Sequence, residues 1–422
     1  MNPVARMIAW VRRSAGAVVL SLPEPVRVRL IPHTLGYSSA DLPPVISPPP
    51  GEVRLLVAPA NYAGQGYEWA RAAERLPGVG AANLVVARGT DWGFRADHRV
   101  VENVAVDSAW WYRRHATSVL TGFTHVLVES ERPLLGGYCA GDVRREADAL
   151  RTAGIAVGYV SHGSDLRLPS RHADRERWSP FRDQDWPLLP VLEETARANA
   201  AFLAEQDATV FVSTPELVLD YPGAVWLPVV IDGARWANPT PALLRATPVV
   251  VHAPTNPIIK GTELIEPTTT RLSDEGVIDY RRIEGVAASD MPTIVATSDV
   301  VLEQFRLGIY SATAIEAMAG GRLVVGYLSE QVREHVRLVT GLEIPIVQAS
   351  VDTLESVLRD VVARPEQYRA LAEQGPRFVA AVHDGALSAA VLEPFLRSAD
   401  RRRKAPGSLD EHRTARRRGR TA

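Results

Sequence analysis

Lys260 stands where the apolar run TPVVVHAP has ended and a helical pattern opens at Thr262. A lysine at such a junction adds a point charge to free backbone N–H groups and to the positive end of a helix dipole. Together these hold an anion, phosphate above all. The ordinary alternative is a loop lysine facing water. Further along, Ser311 is suited to cap a helix and Gly320–Gly321 to stop it. The helix between them, Ala312 to Ala319, is apolar nearly all round, and its sole charge is Glu316. A carboxylate taken out of water without partners is costly, so Glu316 calls for cationic or hydroxyl partners, and ribose hydroxyls would serve. The bland alternative is a glutamate at the solvent rim of an Ala-rich helix. Ser311 and the first N–H groups of that helix, beginning at Ala312, make a second anion cradle. In GQGYEW, Gly64 and Gly66 either let a ligand reach the backbone or form a tight turn.

Other chemistries lack their residues. A dinucleotide fingerprint needs a third small residue where Trp69 stands, so a nicotinamide or flavin site is not expected. No GxxxxGK[ST] loop, HExxH pair or GxSxG elbow occurs. Cys139 is the only cysteine, which rules out a disulfide framework and a cysteine-based zinc site and suits a reducing cytoplasm. The expectation is no metal and no cofactor.

The elements that must position these residues alternate. At 422 residues, 46% hydrophobic and 23% charged, the chain divides into two or three units. After the Pro-rich DLPPVISPPPGE, strand patterns VRLLVAP, NLVVAR, VENVAV, THVLVES, IAVGYVS, ATVFVS and VWLPVV are separated by amphipathic stretches such as GYEWARAAERL. The pattern restarts with TPVVVHAP, DYRRIEG, SDVVLEQ and RLVVGYL, interleaved with helical stretches. Pro267 is awkward for a helix opening at Thr262, which must either kink or begin late. Such alternation predicts an α/β fold with two Rossmann-like, doubly wound parallel sheets facing a cleft. The expected divisions are 1–50 (amphipathic segment and linker), 51–232 (first lobe), 233–385 (second lobe), 386–398 (a final helix) and 399–422 (basic tail). Ligands of such sheets lie at the carboxyl ends of the strands.

Lys260–Gly261, then RRIEGV, then ATSDVVLEQF and GIYSATAIEAMAGGRLVV resemble group 1 glycosyltransferases of the GT-B fold. The likeness covers about residues 53–398 and is strongest over 249–326. It implies a metal-independent enzyme whose second lobe holds a nucleotide-sugar donor, with sugar transfer by retention. By this likeness Glu316 binds the donor ribose and Lys260 neutralises the leaving diphosphate. Gly285 and Val286 lie along the base, and Ser311 and Ala312 offer N–H groups to the phosphates. His162, in YVSHGSDLR, stands beside the donor sugar, or is a loop histidine at a turn, while Asp165 caps a helix. The final helix crosses back to the first lobe. Two family residues are replaced: Thr255 stands where an arginine is usual, and Gly308 where the first of two glutamates is usual. Asn256 and His252 are the residues placed to compensate.

Net charge is −2, but residues 399–422 carry nine basic and three acidic residues, a net of +6 that leaves −8 on the body. A nucleic-acid partner is therefore not expected. The tail reads as disordered, either solubilising or drawn to anionic lipid. Near the start, Val4, Met7, Ile8, Val11, Ala15, Val18 and Val19 have helical spacing with Arg6 and Arg13 opposite. This segment either lies on a membrane surface or packs on its own lobe. The expected function is transfer of a sugar to an unknown glycan, lipid or small-molecule acceptor, in the cytoplasm or at the inner face of its membrane. The alternatives are a nucleotide-sugar epimerase and a binding protein that has lost the reaction.

Overall fold

The computed structural model describes residues 22–89, 93–183 and 185–404. The amphipathic segment at 4–19 and the tail from 405 lie outside the described residues.

Seven strands make the first sheet: β1 (Val53–Ala58), β2 (Val79–Ala87), β3 (His98–Val101), β4 (His125–Glu129), β5 (Ala156–Ser161), β6 (Thr209–Val212) and β7 (Val225–Trp226). Their order is β3-β2-β1-β4-β5-β6-β7, with every neighbouring pair parallel. Five more make the second: β8 (Val249–His252), β9 (Asp279–Arg282), β10 (Val300–Leu302), β11 (Leu323–Gly326) and β12 (Ile346–Gln348). Their order is β12-β11-β10-β8-β9, again parallel throughout. Parallel strands need crossover connections, and the helices these supply cover both sheet faces. That is why β4 and β8 are buried at every position rather than at alternate ones. The fold is two Rossmann-like α/β lobes.

The helices that matter for the site are α1 (Gln65–Ala73), α2 (Glu102–Asp107), α3 (Ala109–Gly122), α4 (Thr262–Asp274), α5 (Ala312–Ala319), α6 (Glu330–Thr340) and α7 (Ala386–Lys404). One of them corrects the sequence reading and another decides between its alternatives. VENVAV was expected to be a strand, but only Val101 belongs to one and the rest is α2. Its adjacent Val104 and Ala105 are both buried while Val101 and Val106 are exposed, a helical rather than alternating pattern. Helix α4 opens at Thr262, so Pro267 lies inside it, on an exposed face. Strand β12 and helix α6 were not among the expected elements.

The last helix runs beyond 398 to Lys404, so the first residues of the basic tail are helical. Its Leu392, Phe395 and Leu396 pack with Leu55, Val57, Trp69, Leu127 and Phe211 of the first lobe. The stretch Pro365–Ser398 is apolar enough to cross a membrane by length and composition, but half of its most apolar window is buried inside the protein. The lobes meet along a polar seam. Arg306 donates to the carbonyls of Trp178 (3.0 Å) and Ser179 (3.1 Å). His172 Nε2 reaches the Leu307 carbonyl (3.2 Å), and His383 Nδ1 the Val229 carbonyl (2.7 Å).

Candidate functional site

Lys260 ends the single helical turn Pro257–Lys260, and Gly261, at φ 76°, turns the chain into α4. The lysine is buried, not solvent-facing. Its ammonium pairs with Glu303 Oε1 (2.5 Å) and donates to Ser311 Oγ (3.0 Å), while Ser311 Oγ donates to Glu303 Oε1 (2.6 Å). An ammonium has three N–H donors, so one remains for a ligand. Ser311 is the N-cap residue of α5, but its hydroxyl serves Lys260 and Glu303 rather than the helix backbone. The leading N–H groups of α5, from Ala312, are those a helix leaves unpaired at its start.

Glu303 was not anticipated. It directly follows β10, is 1% exposed, and its Oε2 has no protein partner. The signal was available: an acid immediately after the buried run VVL, at the carboxyl end of a parallel strand. It supplies a carboxylate that Gly308 cannot. Gly308 sits at φ 70°, and a Cβ there would meet Ser329 Cβ at 3.1 Å and Glu176 Oε1 at 3.3 Å. A glutamate at this turn would be strained and crowded.

The two residues expected to compensate for Thr255 do other work. His252 is fully buried, with Nδ1 on the Leu302 carbonyl and Nε2 on Thr262 Oγ1, both at 2.9 Å. Burial holds its pKa down to about 4, so it is neutral and offers phosphate no charge. Asn256 is exposed and caps the turn before Lys260, its Oδ1 accepting from Ile259 N (3.2 Å).

Glu316 keeps part of its surface open, yet protein closes round its carboxyl group. Burial pushes its pKa up to about 8; Arg235 and Lys260 act downward and Glu303 upward. Glu316, Lys260, Glu303 and Arg235 thus share one electrostatic neighbourhood. Arg235 also donates to the Ala288 carbonyl (2.6 Å), which ties the loop after β9 to the same place. Gly285 and Val286 lie in that loop; Gly285 is exposed, at φ 67°, with open space where a Cβ would stand. Arg235 acts as well on Glu68 of α1, whose carboxyl burial pushes up, so the charges of both lobes meet here.

On the first lobe, His162 follows β5. Its ring lies edge-on to Tyr62 (5.1 Å between centroids) and tilted against Trp69 (5.4 Å), with Nε2 3.4 Å from Glu129 Oε1. Asp165 accepts from the N–H groups of His162 and Gly163, fixing the turn that presents the ring. Gly64 and Gly66 serve their own loop. Gly64 begins α1 at φ 76°, and a Cβ on Gly66 would lie 2.6 Å from Asn83 Nδ2 and 2.8 Å from Glu129 Oε2. The space beside Gly66 is filled by Glu129, which accepts from the N–H groups of Ala60 and Asn61. Among the described residues no cluster of three or more metal-ligating side chains occurs.

The sequence matches no protein-family model and no curated protein. Solved structures do resemble it. Sucrose-phosphate synthase from Thermosynechococcus elongatus aligns over 82% of this chain and 99% of its own, with a TM-score of 0.55 and 12% identity. Anabaena HepE in complex with UDP and glucose aligns over the same shares, with a TM-score of 0.53 and 11% identity. At such identities the likeness is one of fold: the two lobes are arranged as in GT-B glycosyltransferases.

Proposed function

We propose that this protein transfers a sugar from a nucleoside-diphosphate sugar to an acceptor, with the donor held mainly by the second lobe. We take 51–232 and 233–385 as the acceptor and donor lobes, and α7 as the helix that returns to the first. The carrying observation is the cluster of Lys260, Ser311, Glu303 and Glu316 around the start of α5, at the carboxyl ends of β8 and β10. In this reading the third N–H of Lys260 and the first N–H groups of α5, beginning at Ala312, meet the diphosphate. They stabilise the negative charge that grows on it as the sugar leaves. Because Lys260 shares its charge with Glu303, it acts here more as a positioned donor than as a free cation. Glu316 takes the ribose hydroxyls, the loop of Gly285 and Val286 flanks the base, and Glu303 Oε2 is free for a sugar hydroxyl. His162 borders the sugar from the first lobe.

The retained configuration follows from the family likeness. A site at the inner face of a membrane rests instead on the basic segments near both ends, through electrostatic attraction to anionic lipid. The test is binding followed by turnover. UDP, GDP and their sugar conjugates are screened by thermal shift on the wild type, Glu316→Ala and Lys260→Ala. At least one nucleotide should raise the wild-type melting temperature, and both variants should weaken binding by tenfold or more, about 1.4 kcal/mol. Equal shifts in all three proteins overturn the site. Nucleotide released only with an acceptor marks a transferase. An inverted sugar without acceptor marks an epimerase, and binding without release marks a protein that only carries the nucleotide.

A further inference from the structure

Four buried polar atoms without protein partners lie just past the carboxyl end of β4. They are Ser130 Oγ, Glu131 Oε2, Arg132 Nε and Arg132 Nη2. Folded proteins pair nearly all such atoms, so a concentration of them on one loop marks a place built for something polar. Ser130 is 6% exposed and Glu131 5%, so neither is simply solvated. Both also hold left-handed backbone angles, φ 57° and 52°, which non-glycine residues adopt at a cost of order 1 kcal/mol each. The strain turns consecutive side chains toward β5 and Tyr62. Glu131 Oε1 accepts from Ser161 Oγ (2.7 Å), and Arg132 Nη1 donates to Tyr62 Oη (3.2 Å), the ring that meets His162.

We infer that these residues form a binding site for a small hydroxyl-bearing anion, which on the glycosyl-transfer reading is the acceptor. The free Nε–H and Nη2–H of Arg132 lie on one edge of the guanidinium, the fork that grips a carboxylate or phosphate with two parallel hydrogen bonds. Ser130 Oγ and Glu131 Oε2 are left for hydroxyls. Burial and the nearby Asp165 push the Glu131 pKa well up, which favours the acid form, able to donate as well as accept. Arg132 Nε and Nη2 have no protein partner and stay open to the ligand. The site lies next to His162, at the strand ends where two doubly wound sheets hold their ligands.

The test uses the full chain and three probes: glucose 6-phosphate, glucuronate and glucose, each with and without UDP. At least one anionic sugar should bind and glucose should not, and the pair separates phosphate from carboxylate recognition. Arg132→Lys, which keeps the charge but loses the fork, should weaken that binding at least tenfold while leaving the UDP response intact. Glu131→Gln, which mimics the acid form, should retain it. Binding of neither anion, equal binding of glucose, or an unchanged affinity in Arg132→Lys overturns the proposal. An anionic sugar that binds when no nucleotide does would leave this site standing and overturn the donor reading instead.

Discussion

Glu316 carries a proton at neutral pH because the walls around it disfavour charge more than Arg235 and Lys260 favour it. A carboxyl whose pKa rises from 4.5 unfolded to about 8 folded stabilises the fold fully below pH 4.5 and loses that contribution as pH climbs through 8. The empty protein should therefore soften across this window, and Glu316→Gln should not. Between pH 6 and 8.5 the variant should gain on the order of 2 kcal/mol over the wild type, read by denaturant titration at each pH. Parallel curves would show that the carboxyl ionises freely. The neighbouring pair makes a second contrast. Lys260→Met strands Glu303 without its cation and should cost about 3 kcal/mol of stability, as breaking a buried pair does. The double variant Lys260→Met/Glu303→Leu should recover most of it, and no recovery would mean that the two groups are not coupled. Of these residues the sequence exposed Lys260 and Glu316 through their isolation among apolar neighbours. Glu303 and Glu131 escaped because an acid beside a strand looks like any surface acid until the sheet order shows which end faces the cleft.

At the scale of elements, the glycines after β1 illustrate how a local reading divides. Gly66 was compatible with a ligand or with a turn, and only the position of Glu129 decides. Gly66→Ala would press a methyl group to within 2.8 Å of the Glu129 carboxylate and 2.6 Å of Asn83. It should cost about 1–3 kcal/mol, the usual range for overpacking, and shift the melting temperature down by several degrees. A neutral result would mean that the loop relaxes freely. Strands were legible where the apolar run stood apart from any helical pattern, as in β1, β4 and β8. They were misread where hydrophobicity continued into a helix, as from β3 into α2, because a short apolar run carries no period of its own. Helix α4 was legible despite Pro267, whose missing N–H falls on the exposed side.

At the scale of the molecule, two buried histidines sit on the seam. Burial holds His172 at about 3 and His383 at about 4, below the usual 6.5. A depressed histidine stabilises the fold above pH 6.5, and that contribution is lost as pH falls toward its folded value. Acid should therefore loosen the join between lobes. Amide exchange at Val229–Ile231 and Leu307, corrected for intrinsic rates, should speed up at pH 4.5 relative to pH 7 before the central strands respond. Uniform acceleration would count against it. The two-lobed plan was legible in the restart of the strand pattern after residue 246, whereas the seam was not, since its contacts join residues more than a hundred positions apart. The returning helix α7 sets one more condition. Leu392, Phe395 and Leu396 roof the apolar face made by Leu55, Val57 and Phe211. A ribosome delivers that roof only after the entire other lobe has been translated. The earliest-made half must wait, greasy side bare, for nearly two hundred codons, which makes it a natural client for a holdase during synthesis.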